Sequence, residues 1–337
     1  MIRFAKQIMN CKTKFCIKAK NDKQQCKAAP CNSWRKPIYA RRAIHDGKPS
    51  IHAKLSFAKR GFMLADLHLH SVYSDGLNSP DEICRLAKAR GVGLISITDH
   101  DTMAGLDVKK AAAKRHGVAY LSGWEISAYD HEEKIHILGY GCVVGEAYER
   151  FNARRKEASF ARAEDSVKKF NAIGVPLTLQ NVLDMRSAPD LPVHTMHIAR
   201  AAAVYLGLTA GEVYREYLAR GKAANSGIGR PTPREAIDCI HAAGGFASIA
   251  HPGRIEMPED EKKALIISLA DYGVDGIESV YSTHTNEETA YYTRLANELS
   301  LLVTGGSDTH YEDEMQKVGT PTFTPSEKLL EKLHIIY

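Results

Sequence analysis

A parallel α/β barrel is the fold class that the sequence predicts, and three observations predict it. Seven short apolar, β-branched runs alternate with helical patterns, Ser/Thr-x-x-Glu start signals open the helices, and His, Asp and Glu recur at the C-terminal ends of the runs. Strands alternating with helices build a sheet buried on both faces. In a closed (βα) barrel the strand ends converge on one face, where active sites lie. An open doubly wound sheet also gathers ligands at its carboxyl edge, but seldom from so many strands.

In order, the runs span residues 62–67, 94–98, 119–122, 135–140, 246–250, 276–280 and 301–304. After the first, Ser79-Pro-Asp-Glu82 is a capping box with proline at the first helical position; Ile83, Leu86 and Ala87 form the inner stripe and Gly91 ends it. The same signal recurs at Thr232 and Glu235, Thr285 and Glu288, and Thr324 and Glu327. Between Gly145 and Gly229 the alternation stops. Phe160, Val167 and Phe170, then residues 198–205 and 213–218, read as consecutive helices, followed by a Gly-, Asn- and Ser-rich exit at 221–229. The expected organisation is an extension at 1–60, a barrel formed by 61–145 and 229–337, and a helical insertion at 146–228 that caps the barrel mouth.

The net charge of +5 divides unevenly: residues 1–60 hold 16 Lys and Arg against two acids, and the remainder holds 29 against 38. The body is therefore acidic, which disfavours a wholly basic nucleic-acid-binding surface and leaves room for a local basic pocket. Cys11, Cys16, Cys26 and Cys31 fall in the extension at a spacing that matches no common zinc pattern, so the extension reads as solvated and disordered. Cys84, Cys142 and Cys239 are scattered singly and read as reduced core residues of a cytoplasmic protein. No stretch is apolar enough for a membrane span, and the extension lacks the apolar centre of a secretory signal.

The polar residues at the strand ends suit a metal site. His68 and His70 stand at period two, so both rings leave one face of an extended segment. With Asp75, His100, Glu125, His136, His251, Asp308 and His310 they give nine candidate ligands of the type that binds Zn, Mn or Fe, enough for two or three ions. Glu125 has two oxygens with which to bridge a pair. Taken singly, a histidine at a strand end is more often structural; nine such residues at one end of buried strands would be costly without a metal to neutralise them.

Asp66-Leu-His68-Leu-His70 with Ser74-Asp75-Gly76, Thr98-Asp-His100-Asp101, Gly123-Trp-Glu125, His136-Ile-Leu-Gly139, Ala250-His251-Pro-Gly253 and Gly306-Ser-Asp308-Thr-His310 resemble the motifs of the PHP (polymerase and histidinol phosphatase) family over about residues 61–325. The resemblance implies a distorted (βα)7 TIM-like barrel with two or three divalent ions, manganese first and zinc or iron next. It places His68, His70, Glu125 and Asp308 on the first ion, Glu125, His136 and His251 on the second, and Asp75, His100 and His310 on the third. Within the family the long insertion is similar to that of the branch that removes the 3′-phosphate from nucleoside 3′,5′-bisphosphates and trims 5′ mononucleotides from short RNA. That likeness implies Arg162, His197, Arg254 and His284 as substrate-binding positions; where the branch often has Arg, two residues before the His of the His197-Ile-Ala-Arg200 segment, this chain has Thr195.

The expected activity is thus a metal-dependent hydrolysis of phosphoric esters by activated water, with a small phosphorylated nucleotide or short oligoribonucleotide as substrate and no stable protein partner or membrane. The leaving alcohol needs a proton, for which Asp101 and His284 are the candidates beside a water. The alternatives are a histidinol-phosphate-type phosphatase and a non-catalytic metal-binding module.

Overall fold

The computed structural model describes residues 63–130, 133–311 and 317–335, all within a single unit that begins at residue 52. The basic extension, its four cysteines and the first residue of the run at 62–67 lie outside the described residues. Each expected run contains a strand: β1 (Leu64–Leu69), β2 (Val92–Ile97), β3 (Ala119–Tyr120), β5 (Glu133–Tyr140), β6 (Phe246–Ile249), β7 (Gly276–Tyr281) and β8 (Leu302–Gly306). An eighth strand, β4 (Gly123–Asp130), was not expected. Its side chains alternate: Trp124, Ile126 and Ala128 are buried in the core, whereas Glu125, Ser127 and Tyr129 leave the opposite face. That polar face looks into the site rather than into water, so the strand lacks a continuous apolar run.

β1, β2 and β3 form a parallel sheet in the order 1-2-3; β4 to β8 form a second in sequence order. The β4/β5 and β5/β6 pairs are antiparallel, and β6/β7 and β7/β8 are parallel. The expectation of a wholly parallel sheet of seven strands therefore gives way to a mixed α/β arrangement. Short bridges link the sheets on both sides, Leu69 to Thr309 and His100 to Glu125. There the His70 N–H donates to the Thr309 carbonyl at 3.0 Å, and the Asp101 N–H to the Glu125 carbonyl at 2.8 Å. Both junctions carry candidate ligands.

The helices start where local chemistry supplies the missing acceptors of the first turn. α1 (Pro80–Ala89) is capped by the Ser79 hydroxyl, which accepts from the Glu82 N–H. α2 (Leu106–His116) follows β2. α3 (Glu146–Ala172) is the longest at 27 residues, about 40 Å at 1.5 Å per residue. Its first turns bury Tyr148 and Phe151 edge-on against Trp124, at 5.1 and 5.7 Å. Further along, Ala163, Val167 and Phe170 enter a second apolar cluster. That cluster gathers α4 (Leu179–Leu183), α5 (Thr195–Leu206), α6 (Ala210–Val213) and a π-helical turn at Tyr214–Leu218. No strand lies between these helices among the described residues.

α7 (Pro233–Ala242) and α9 (Asn286–Glu298) start on the expected capping boxes at Thr232 and Thr285 and flank α8 (Glu259–Asp271). The box expected at Thr324 and Glu327 does not form. α10 (Glu327–Lys332) begins two residues later than that pattern requires, and the Ser326 hydroxyl caps it by accepting from the Leu329 N–H.

Candidate metal centre

β1 delivers His68 and His70 from one face, and both rings are fully buried. β8 reaches the same place because Gly306 has no side chain: a Cβ there would stand 2.4 Å from the His68 Cβ and 2.5 Å from its backbone nitrogen. Three ligand-bearing turns adopt the left-handed region that L-residues avoid, at Asp101 (φ 55°), His251 (φ 27°) and Asp308 (φ 55°). Such strain persists where the surrounding structure over-determines it, commonly at active sites.

Eight of the nine candidate ligands gather into three overlapping clusters, in each of which the ligand atoms lie within 4.8 Å of one another. His68, His70, Glu125 and Asp308 form the first; His100, Glu125 and His136 the second; His70, Asp75, His100 and His310 the third. His251 joins the second through its Nε2, 3.0 Å from Glu125 Oε1. Glu125 is the hinge of the arrangement. Its Oε1 lies 2.5 Å from His136 Nδ1, while its Oε2 lies 3.3, 3.2 and 3.0 Å from His68 Nε2, His70 Nε2 and His100 Nδ1. Asp308 Oδ1 stands 3.3 and 3.1 Å from the same two β1 nitrogens.

These atoms are close without satisfying one another. His70 Nδ1, Asp75 Oδ1, His100 Nδ1, Glu125 Oε2, His136 Nε2 and Asp308 Oδ1 are all buried and lack a hydrogen-bond partner. Buried polar atoms of this kind are costly unless a cation collects their lone pairs. The charges ask for the same thing. Although burial alone would lower it, the His70 pKa is held up at about 10 by Asp308 and Glu125. The donor set of imidazoles and carboxylates fits divalent Mn, Zn or Fe.

Two residues that sequence reasoning missed hold the ligands in place. Glu278, fully buried on β7, lies 3.0 Å from His68 Nδ1 and also accepts the His251 N–H at 2.8 Å. Tyr281 donates its hydroxyl to Asp308 Oδ2 at 2.8 Å and so leaves Oδ1 for the cluster. An acid inside the otherwise apolar Gly276-Ile-Glu-Ser-Val280 run was the available signal for Glu278. Tyr281 gave none.

A cavity of about 280 Å³ opens over the clusters. Its walls include Asp75, His100, His136, His251, Asp308 and His310 from the strand ends, with Arg155, Arg162, His194 and Arg200 from the helical segment opposite. Arg155, buried, donates to Asp101 Oδ2 at 2.6 Å and to the Gly229 carbonyl at 2.9 Å.

The PHP domain profile matches residues 66–221. A 5′-3′ exoribonuclease of Haemophilus influenzae is 34% identical over 252 residues, covering 73% of this chain and 89% of the relative. The chain belongs to the PHP family. A 3′,5′-nucleoside bisphosphate phosphatase of Chromobacterium violaceum is 31% identical over 253 residues, covering 74% of this chain and 88% of its own. The solved structure of an amidohydrolase from the same organism, with bound sulfate and no metal, superposes with a TM-score of 0.71 at 29% identity over 80% of this chain and 95% of that one. As a PHP protein the chain is a metal-dependent phosphoesterase, a hydrolase of phosphoric ester bonds.

Of the substrate-binding positions expected from the PHP resemblance, Arg162 and Arg254 line the cavity. Arg162 also donates to the Ile228 carbonyl at 2.9 Å; Arg254 donates to Tyr281 Oη and Asp308 Oδ2 at 3.0 and 3.2 Å. His197 and His284 do not reach it. His197 is 2% exposed: its Nδ1 accepts the His194 N–H at 3.1 Å and its Nε2 bonds the Ser74 carbonyl at 3.1 Å. His284 has both nitrogens engaged as well, Nδ1 with the Ser279 carbonyl and Nε2 with the Gly253 N–H, at 3.0 and 3.1 Å. Both rings tether backbone in this structure, and neither presents a free nitrogen to the cavity. Asp101 lines the cavity but carries no proton at neutral pH: burial pushes its pKa up, and Arg155 outweighs this and holds it at about 2. In their stead His194, at the cap position of α5, is buried with its Nε2 unpartnered and its ring 6.1 Å from that of His100.

Proposed function

We propose that this phosphoesterase removes the 3′-phosphate of nucleoside 3′,5′-bisphosphates and trims the 5′ ends of short RNA, the activities for which its Chromobacterium and Haemophilus relatives are named. Two or three divalent ions, manganese first, would when bound supply an activated water and neutralise the phosphoryl oxygens. His68, His70, Glu125 and Asp308 would hold the first ion, Glu125, His136 and His251 the second, and Asp75, His100 and His310 the third, with His70 close enough to contribute to the last. In this reading residues 61–145 and 229–337 make one distorted (βα)7-like barrel, and residues 146–228 are its cap.

The observation that carries the substrate is the set of cations around the cavity. Lys134, Arg162 and Arg254 face the same cavity, more cationic groups than a single phosphate already held by metal ions requires. A second phosphate on the substrate uses them. Arg254 reaches the reacting phosphate from its place beside Asp308, and Arg162 grips the distal one. His194 Nε2, unpartnered, donates to a phosphoryl or leaving oxygen. Cys84, Cys142 and Cys239 are free and buried, with thiols pushed up by burial to about 12, 12 and 11, which suits a reducing compartment such as the cytoplasm. Among the described residues no helix is long and apolar enough to cross a membrane.

The test is a phosphate-release panel with manganese-loaded protein, comparing nucleoside 3′,5′-bisphosphate, nucleoside monophosphate and histidinol phosphate at equal concentration. The bisphosphate is expected to turn over fastest. Preference for histidinol phosphate overturns the substrate reading in favour of the alternative.

A further inference from the structure

Beyond the clusters the cavity opens into a second basin of about 400 Å³. The two share a wall that includes Tyr129, Lys134, Arg162, Tyr214 and Arg254. The far side of the basin carries Arg215, Arg220, Lys222 and Arg230, and its carboxylates are those of Glu133 and Glu256. Glu133 is already paired with Arg220. This surplus of cations stands in a body whose balance is the reverse, 29 basic residues against 38 acidic. Like charges gathered around one concavity repel one another and raise the local concentration of anions.

Two further features point to a ligand. Arg230 stacks over the Tyr129 ring at 4.1 Å and its Nη2 is held by Asn225 and Ser226, yet its buried Nε has no partner. One wall of the basin is the π-helical turn Tyr214–Leu218, an irregularity frequent at functional sites, and it presents Tyr214 and Arg215 to the opening.

We propose that this basin binds the phosphodiester backbone of nucleotides that follow the reacting one, so that a single-stranded oligonucleotide rather than a mononucleotide fills the whole cleft. The inference rests on the phosphoesterase reading above and extends its substrate. Basic side chains along a groove with interleaved aromatic rings are the arrangement that binds single strands without reading sequence. Arg215 and Lys222 meet the backbone at the exposed rim, while Tyr129 and Tyr214 offer ring faces on the shared wall.

The experiment compares kcat/KM for a 5′-phosphorylated dinucleotide and pentanucleotide, in which the same type of bond breaks but only the longer strand reaches the basin. Ribo and deoxy strands are run with the metal-loaded full chain and with its Arg215→Glu/Lys222→Glu variant, whose altered side chains are exposed. The wild type is expected to favour the pentanucleotide by about tenfold, and the double reversal to bring that ratio near one while cutting the salt slope by about 1.4, or 0.7 for each lost phosphate contact. Equal length dependence for ribo and deoxy strands is expected, because the basin meets backbone charge. A wild-type ratio near one, a ratio unmoved by the double reversal, or a length dependence confined to one sugar overturns the inference even when the bisphosphate is still hydrolysed. Loss of all phosphate release in the wild type overturns the functional reading instead.

Discussion

His68 Nδ1 and the carboxylate of Glu278 meet at 3.0 and 3.2 Å, both residues fully buried, and Glu278 takes the His251 N–H as well. One carboxylate on β7 therefore sets the tautomer of a first-cluster histidine and the backbone of a second-cluster one. A carboxylate accepts only, so Nδ1 carries the hydrogen and Nε2 turns its lone pair toward the cluster.

Glu278→Gln tests this coupling. The amide keeps one acceptor and converts the other into a donor, which opposes either the His68 ring or the His251 N–H. Metal affinity or turnover is expected to fall about 10- to 100-fold. Metal content after dialysis against a graded manganese buffer measures it; full occupancy at wild-type free metal shows that the carboxylate does not position the site.

Tyr281→Phe removes the hydroxyl that orients Asp308 Oδ2 and leaves Arg254 as its remaining partner there. A hydrogen bond to a charged group contributes about 1.5–3 kcal/mol, so first-ion affinity is expected to weaken by roughly ten- to a hundredfold. Because the ring remains, thermal stability of the metal-free protein should move little. Calorimetric titration with manganese, beside a melting curve in chelator, separates the two effects.

Chelation should destabilise the wild type. Metal present at 100 times its dissociation constant stabilises the native state by about 2.7 kcal/mol per site, and at this chain length each kcal/mol shifts Tm by about 1–2 °C. Removing the ions re-exposes the repulsion and the unpartnered lone pairs of the three clusters. A melting temperature that is the same with chelator as with manganese argues that the clusters hold no ion.

The buried His197 gives a pH prediction. Burial pulls its pKa from 6.5 down to about 4. Above pH 6.5 the ring is neutral in both states and nothing is lost; as pH falls through 6.5 the unfolded chain gains a proton that the native ring refuses, so stability declines until about pH 4. Between pH 6.5 and 5 the residue accounts for a loss of about 2 kcal/mol. Urea unfolding of the wild type and His197→Asn in chelator, at pH 7 and pH 5, should show a flatter pH dependence in the variant. Equal slopes show that the ring titrates alike folded and unfolded.

The nine candidate ligands were legible because chemistry and period coincide: imidazoles and carboxylates stand next to short apolar runs, and the structure brings these residues together. β4 was hidden because its second face is polar toward the cavity, which breaks the apolar run that signals a buried strand. Long-range partners left no local trace. Nothing in the sequence around Ser74 announces that its carbonyl engages a helix more than a hundred residues away, or that both nitrogens of His197 are thereby spent. Arg155 was equally hidden. It sits in an Arg-Arg-Lys triplet that reads as a solvated helix face, yet it alone of the three is buried, and it neutralises Asp101.

Gly306 and Gly145 give opposite forecasts for the same substitution. At Gly306 an added methyl would lie 2.4 Å from the His68 Cβ and 2.5 Å from its backbone nitrogen, contacts that only a backbone shift relieves. That shift separates β8 from β1, and with it Asp308 from His68 and His70. Gly306→Ala should therefore cost about 1–3 kcal/mol or more from overpacking and lower manganese content as well. At Gly145, which precedes α3 with an extended φ of −158°, the methyl meets open space. Gly145→Ala should change stability by less than about 0.5 kcal/mol and leave metal content intact. Denaturation midpoints and elemental analysis of the two variants decide the matter, and a Gly306→Ala protein with wild-type metal content shows that the strands part there without disturbing the first cluster.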